Sequence, residues 1–268
     1  MNIKKYMNII VAIFAVFIFM TVSKLIAILV IIIYIVYTNL ATIVYFIGSN
    51  KYKLNQIDDA YKYFEKAYNI KGSPMKIKLY YIYFLLLRGD LDQGEKLLKQ
   101  LSEKKLTSDD EISIKLNMSI IMWKRDNIDE AVDILMELYE KYKTTIIYQN
   151  LGYFLILKHD YHKALEMNLE AYDYNSSNAG ILDNLARTYC MLGEYDKSLK
   201  IYEELMIEKP SFPSAYYYYA LTLVQLNKNE EALLNLEKAL KCNFTFLSAI
   251  SKEEIESKIA EIQNLNSN

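Results

Sequence analysis

The chain has 268 residues, of which 53% are hydrophobic and 24% charged, so it can bury a sizeable core and does not have the composition of a disordered protein. Only 7 glycines and 3 prolines occur, which disfavours turn-rich all-β folds and glycine-rich phosphate loops and favours an all-α protein with short connections. The net charge is −2 and the first acidic residue is Asp58. The remainder of the chain is therefore acidic, which argues against a nucleic-acid partner because such partners require a basic face.

The N-terminal segment is strongly apolar. Between Tyr6 and Ile47 the only charged side chain is Lys24. About 20 apolar residues cross a bilayer core, so this stretch is too long for a single span. It predicts a transmembrane helical hairpin that contacts the lipid bilayer through residues 5–47, with helices near 5–22 and 25–47. The predicted domains are a hairpin at 1–40 and a second domain at 41–268.

The lysines around this hairpin predict its orientation. Lys4, Lys5, Lys51 and Lys53 flank the two open ends, whereas only Lys24 lies at the turn. Because lysines near short spans stay on the cytoplasmic side, we expect a two-span protein of the cell membrane with the following domain in the cytoplasm.

Two other interpretations of this segment remain open. Residues 1–23 are similar to a signal peptide, although a second apolar run follows at once and no Ala-x-Ala site appears. Lys24 could be a functional charge inside the membrane. Its position between the two apolar runs favours a polar turn.

An internal repeat dominates the rest of the chain. Asn-Leu-Gly at 150–152 and the segment 158–165 are followed 34 residues later by Asn-Leu-Ala at 184–186 and the segment 192–199. A third copy lies at 219–233, and weaker copies lie upstream. Small residues recur where two antiparallel helices would approach closely, at Gly152, Ala164, Ala186, Ser198, Ala220 and Ala232. The apolar residues between them have helical spacing, and one helix pair cannot bury such a stripe alone.

These residues resemble the tetratricopeptide repeat (TPR) family. The best copy matches at Leu182, Leu185, Ala186, Tyr189, Gly193, Tyr195, Ser198, Tyr202, Leu205 and Pro210. The resemblance, to a membrane-anchored bacterial type, implies a right-handed α-solenoid of about six helix pairs. We place these pairs near 41–74, 75–111, 112–144, 145–178, 179–212 and 213–246. We also expect one continuous helix to run from the membrane into the first pair.

A capping helix is predicted after the last pair. Ser251 is followed three residues later by Glu254, which is the pattern of a capping box. The helix would extend from about Lys252 to Gln263, with Ile255 and Ile262 on one face.

The sequence gives little support for a catalytic or metal-binding site. His159 and His162 could form half of a metal site, but they align with Gly193 and Asp196 in the next copy, which favours exposed turn residues. Cys190 and Cys242 lie far apart and outside any zinc-type spacing. We predict no enzyme activity, no cofactor, no metal and no small-molecule substrate.

The resemblance implies a concave groove lined by the first helix of each pair. The corresponding residues are Asn117, Gln149, Asn150, Tyr153, Asp183, Asn184, Arg187, Tyr217, Tyr218 and Leu221. The asparagines at 117, 150 and 184 share one repeat position, where their amides could either bind a peptide backbone or brace neighbouring helices.

The sequence therefore predicts a membrane-tethered scaffold that binds a partner protein or peptide in this groove. An alternative is an accessory subunit of a membrane transporter or enzyme complex, in which the hairpin makes the functional contact.

Overall fold

The structure is a computed structural model that describes residues 3–21 and 23–266. The parts of the predicted hairpin and tail at residues 1, 2, 22, 267 and 268, and the side chains of Lys4 and Lys5, lie outside the described residues. The described residues form fifteen α-helices and no strand, which confirms the all-α prediction. They divide into two compact units, Met1–Phe84 and Leu85–Asn268, and the division falls within a helix.

The first unit begins with two apolar helices that pack against each other. The Tyr34 hydroxyl donates a hydrogen bond to Asn8 Oδ1 at 2.6 Å, which links these two helices. Many of their large apolar side chains are exposed, including Ile13, Phe17 and Ile33. The helices of this unit are α1 (Ile3–Thr21), α2 (Lys24–Thr38), α3 (Leu40–Lys53), α4 (Ile57–Asn69) and α5 (Met75–Leu87), the last of which continues into the second unit.

The chain bends by 65° between α2 and α3. Thr38 Oγ1 donates to the Tyr34 carbonyl at 2.9 Å, and Asn39 Nδ2 donates to the Ile35 carbonyl at 2.9 Å. Such side-chain bonds to the backbone compete with the next helical turn. The predictions of one helix over 25–47, and of a continuous helix into the first repeat, are therefore wrong.

No single described helix meets the length and hydropathy required of a membrane span, whereas α2 and α3 meet them only when taken together across their bend.

The second unit continues the same pattern of paired helices. Twelve helices, α3 to α14, follow one another along the chain, which is the number that the six predicted pairs require, and α15 follows them. Helix α3 packs against α4, α7 against α8, α9 against α10, α11 against α12 and α13 against α14. The helices are α6 (Leu91–Ser102), α7 (Ser108–Lys124), α8 (Ile128–Lys141), α9 (Thr145–Leu157), α10 (Tyr161–Tyr174), α11 (Ala179–Met191), α12 (Tyr195–Ile207), α13 (Pro213–Gln225), α14 (Asn229–Leu240) and α15 (Lys252–Asn266).

The third pair begins earlier than the predicted residue 112, because a capping box starts α7 at Ser108. Thr107 Oγ1 accepts from the Asp110 amide at 3.2 Å, and Asp110 Oδ2 accepts from the Thr107 amide at 3.1 Å. The predicted capping box of α15 is confirmed in the same way. The Glu254 amide donates to Ser251 Oγ at 3.1 Å, and the Ser251 amide donates to Glu254 Oε2 at 2.7 Å.

Each helix pair turns through a residue with positive φ. These residues are Asn55, Gly89, Asp126, His159, Gly193 and Asn227. The amide of the following residue bonds to a carbonyl in the last turn of the first helix, as in Asp160 to Leu155 at 3.1 Å and Glu194 to Tyr189 at 2.9 Å. This is the Schellman motif that ends helices. His159 and Gly193 therefore occupy equivalent turn positions.

Small residues let the paired helices approach each other. Ala60, Ala131, Ala164, Ser198 and Ala232 are all fully buried. At Gly152 a Cβ atom would lie 1.9 Å from Asn168 Oδ1, so the close approach of α9 and α10 requires glycine. The predicted register of the repeats is confirmed at these positions.

Candidate partner-binding groove

The first helices of the last three pairs form the core of the candidate site. Helix α11 packs between α9 and α13, so the predicted groove residues of these helices lie on neighbouring elements. Gln149, Asn150, Tyr153, Tyr217 and Leu221 are partly buried, whereas Asp183, Asn184, Arg187 and Tyr218 are buried. Asn117 is also buried, but it lies on α7, away from the cluster around α11.

The three repeated asparagines bond to the backbone. Asn117 Nδ2 donates to the Ser113 carbonyl, and Asn150 Nδ2 donates to the Ile146 carbonyl, both at 2.7 Å and both within their own helix. Asn184 Nδ2 donates to the Gln149 carbonyl at 2.7 Å and so joins α11 to α9. Only the Asn184 contact corresponds to the bracing of a neighbouring helix that the sequence left open.

Arg187 lies at the centre of the site, between two tyrosine rings. Its guanidinium carbon is 4.1 Å from the ring centroid of Tyr218 on α13 and 5.7 Å from that of Tyr153 on α9. Arginine over an aromatic face is attracted by the ring quadrupole. The residue is only 6% exposed. Within the described part of the chain, its buried Nε and Nη1 have no hydrogen-bond partner.

Asp183 lies one helical turn before Arg187 and is 4% exposed. Its carboxylate accepts from Ser214 Oγ at 3.2 Å and from the Tyr202 hydroxyl at 3.5 Å. Burial raises the pKa of Asp183 to about 6, while the Arg187 charge and these two hydrogen bonds act in the opposite direction. The carboxylate is thus bound by two neighbouring hydroxyls. The sequence did not predict either donor as part of the groove.

The aromatic side chains extend the site beyond Arg187. Burial raises the pKa values of Tyr153 and Tyr218 to about 12, so both are neutral phenols at physiological pH. The Trp123 ring meets Tyr153 edge to face at 5.8 Å, and the Tyr217 ring meets Tyr218 edge to face at 5.2 Å. An aromatic row therefore extends from α7 to α13, and Trp123 was not predicted to belong to it.

The two histidines do not converge on a metal-ligand cluster. His159 Nδ1 lies 2.6 Å from the hydroxyl of Tyr161 at the turn between α9 and α10. Among the described residues, no group of three or more His, Cys, Asp or Glu side chains could hold a metal ion.

Comparisons with known proteins identify the repeat. Family models described as "Tetratricopeptide repeat" match residues 41–74, which contain α3 and α4, and residues 178–207, which contain α11 and α12. No curated protein matches the sequence significantly.

Solved structures share the fold. A chain of the APC/C hetero-tetramer Cut9-Hcn1 is 16% identical with a TM-score of 0.64, and the match covers 85% of this chain. This chain spans only 45% of the length of that one. A tetratricopeptide repeat protein from Parabacteroides merdae ATCC 43184 is 16% identical with a TM-score of 0.54, covering 84% of this chain and 87% of the other. The chain described here therefore contains tetratricopeptide repeats, arranged in an all-α TPR-like solenoid.

Proposed function

We propose that the chain is a membrane-tethered scaffold that binds a partner protein or peptide at the groove face centred on Arg187. Stacked repeats create extended surfaces that such proteins use for binding. The observation that carries the proposal is the pair of buried, unpartnered N–H groups on Arg187, enclosed by Tyr153 and Tyr218.

Buried donors without an acceptor are rare because each one costs desolvation free energy. A partner that inserts a carboxylate or a backbone carbonyl between the two rings would satisfy an Arg187 donor, and a carboxylate would do so through a charge-assisted hydrogen bond. The neutral phenol rings beside it supply apolar contact area, as aromatic residues do at the centres of interfaces.

The tether in this proposal is the N-terminal part of the chain. Its support is the run of 6–47 with a single charge, together with the exposed apolar side chains of α1 and α2. Exposed apolar surface of this extent marks contact with a membrane or a protein. The lysine distribution supports a cytoplasmic repeat domain.

The groove is tested with Arg187→Met in the full chain. We expect partner capture from detergent-solubilised membranes of the source cells to fall at least tenfold, because the variant keeps the apolar volume and loses the donors. The control is Lys200→Met, which removes an exposed cation on α12. Both variants should retain the helical circular dichroism spectrum. Undiminished capture by Arg187→Met would contradict the proposal.

A second candidate function rests on the hairpin. A cavity of about 350 Å³ lies between α1 and α2, lined by apolar and tyrosine side chains that include Ile10, Phe14 and Tyr34. Such a surface fits an apolar helix of a membrane transporter or enzyme complex. Exchanging residues 1–38 for an unrelated membrane anchor should leave capture intact if the groove is the contact, and abolish it if the hairpin is.

A further inference from the structure

The segment between α14 and α15 contacts helices that are far away in the sequence. We call residues 243–250 the C-terminal strap. The Phe246 amide donates to the Leu87 carbonyl at the end of α5, at 3.2 Å. The Phe246 ring lies over Gly89, where an added Cβ would be 3.1 Å from Phe246 Cδ2. The strap therefore reaches from the last helix pair back to the turn between α5 and α6.

Lys124, at the end of α7, completes the surface under Phe246. Its ammonium nitrogen is 5.1 Å from the Phe246 ring centroid and 4.0 Å from that of Trp123. Burial lowers the pKa of Lys124, which is consistent with an ammonium group covered by these two rings. Leu87, Gly89, Trp123 and Lys124 thus form a surface that holds an aromatic side chain and one backbone amide. We call it the Phe246 surface.

The strap presents Phe246 through its own hydrogen bonds. The Thr245 amide donates to Ser248 Oγ at 3.0 Å, and the Leu247 amide donates to Thr245 Oγ1 at 3.2 Å. Ile250 is buried, so the C-terminal end of the strap is anchored, whereas Phe246 remains 46% exposed. Phe246, near the middle of the strap, is therefore its exposed part.

The Phe246 surface is continuous with the aromatic row of the groove. Trp123 contacts both Lys124 and Tyr153, and Tyr153 contacts Arg187. Helix α15 approaches the other end of the row, where the charges of Glu254 and Glu261 add to the burial that raises the pKa of Tyr217. The strap and α15 therefore connect the two ends of the row.

We propose that the C-terminal strap is an internal occupant of the Phe246 surface beside the groove and that the partner is a peptide with an aromatic side chain, which displaces Phe246 from this surface. This inference rests on the proposed function for the role of the groove. Phe246 shows what kind of group the surface binds. Its ring lies over a glycine and beside a cation, and its backbone N–H donates to the Leu87 carbonyl. Since a tethered ligand acts at a roughly millimolar effective concentration, a free peptide must compete with it.

The test uses a fluorescent synthetic peptide of residues 243–251 and the full chain in detergent. We expect Phe246→Ala to bind the peptide at least tenfold more tightly than the wild type, because the internal competitor is weakened. Adding Lys124→Met to Phe246→Ala should reverse most of this gain. A peptide with alanine in place of Phe246 should not bind. The control is Leu234→Ala, which shortens an exposed side chain on α14 and should match the wild type.

Hydrogen exchange provides a second measurement. The Phe246 amide should be protected in the wild-type chain and lose that protection when excess peptide is added. Equal peptide affinity of the wild type and Phe246→Ala, including no detectable binding to either, would overturn the inference. That outcome would not contradict the Arg187 site, because Arg187→Met tests a different contact. If Arg187→Met keeps full partner capture while the peptide results are as expected, binding is restricted to the Phe246 surface.

Discussion

Asp183 shows how a single side chain in the groove responds to its surroundings. Its pKa is raised from 3.8 to about 6 mainly by burial, so the folded state binds a proton more tightly than the unfolded state does. Its contribution to stability is therefore fully present below pH 4 and is lost as the pH rises through about 6. Above that pH the carboxylate is charged, and the Arg187 charge beside it opposes the rise in its pKa.

The pH dependence can be measured with Asp183→Asn. From pH 4 to pH 7 the variant should gain stability relative to the wild type, by on the order of 2 to 3 kcal/mol at most, since one pKa unit corresponds to about 1.4 kcal/mol. Urea unfolding at several pH values checks this. Asp173→Asn, at an exposed position on α10, is the control and should run parallel to the wild type. A parallel curve for Asp183→Asn would show that Asp183 is not buried as described.

At the scale of elements, the helix pairs depend on a few positions at which the two helices come very close to each other. Asn168 occupies a repeat position that is Tyr202 in the next copy, and its Nδ2 donates to Thr188 Oγ1 at 3.0 Å. Because this amide is fully buried and bonded, it has no room to move away from Gly152. The α9–α10 contact is therefore more sensitive to added volume than an ordinary helix crossing.

Gly152→Ala should destabilise the chain by about 1 to 3 kcal/mol through overpacking against Asn168. Gly180→Ala is the matched control. Its Cβ would meet the end of the Gln149 side chain at 2.4 Å, but Gln149 is only partly buried and can turn aside. Because alanine also favours the helix by up to about 1 kcal/mol, Gly180→Ala should not lose stability. Equal losses in chemical denaturation would contradict the proposed packing of α9 and α10.

The sequence predicted the regular part of these elements well. The offset of 34 located α11 and α12, and the alignment of His159 with Gly193 identified the turn, because small residues and positive-φ positions recur with the repeat. The break at Asn39 was missed because Thr38 and Asn39 act through weak local hydrogen bonds that apolar periodicity does not reveal. The start of α7 was misplaced because Thr107 and Asp110 lie in an insertion outside the repeat.

The groove was only partly predictable from the sequence. Arg187 and Tyr153 were found because the resemblance assigns positions on the first helices. Ser214 carries no sequence signal of its own, and the contact of Phe246 with Leu87 joins opposite ends of the second unit, which a local pattern does not reveal. That Arg187 is buried without an acceptor depends on the packing of three helices.

For the whole molecule, the predicted orientation stays a prediction that one experiment can test. In a chain with Cys190→Ala, Cys242→Ala and Asn268→Cys, a membrane-impermeant thiol reagent should fail to label intact cells and succeed once the cells are opened. Four lysines beside the open ends of the hairpin, against one at its turn, are the physical reason. Labelling of intact cells would instead favour the signal-peptide interpretation of residues 1–23.

The central claim is that the groove face around Arg187 contacts the partner. Photo-crosslinking tests this most directly, with benzoylphenylalanine in place of Tyr217 beside the site or, as a control, in place of Tyr174, which is 52% exposed on the second helix of its pair. After irradiation of native membranes, we expect a discrete adduct of higher mass from position 217, which disappears when Arg187→Met is added, and none from position 174. An adduct from position 174 alone, or one at 217 that persists with Arg187→Met, would contradict the claim.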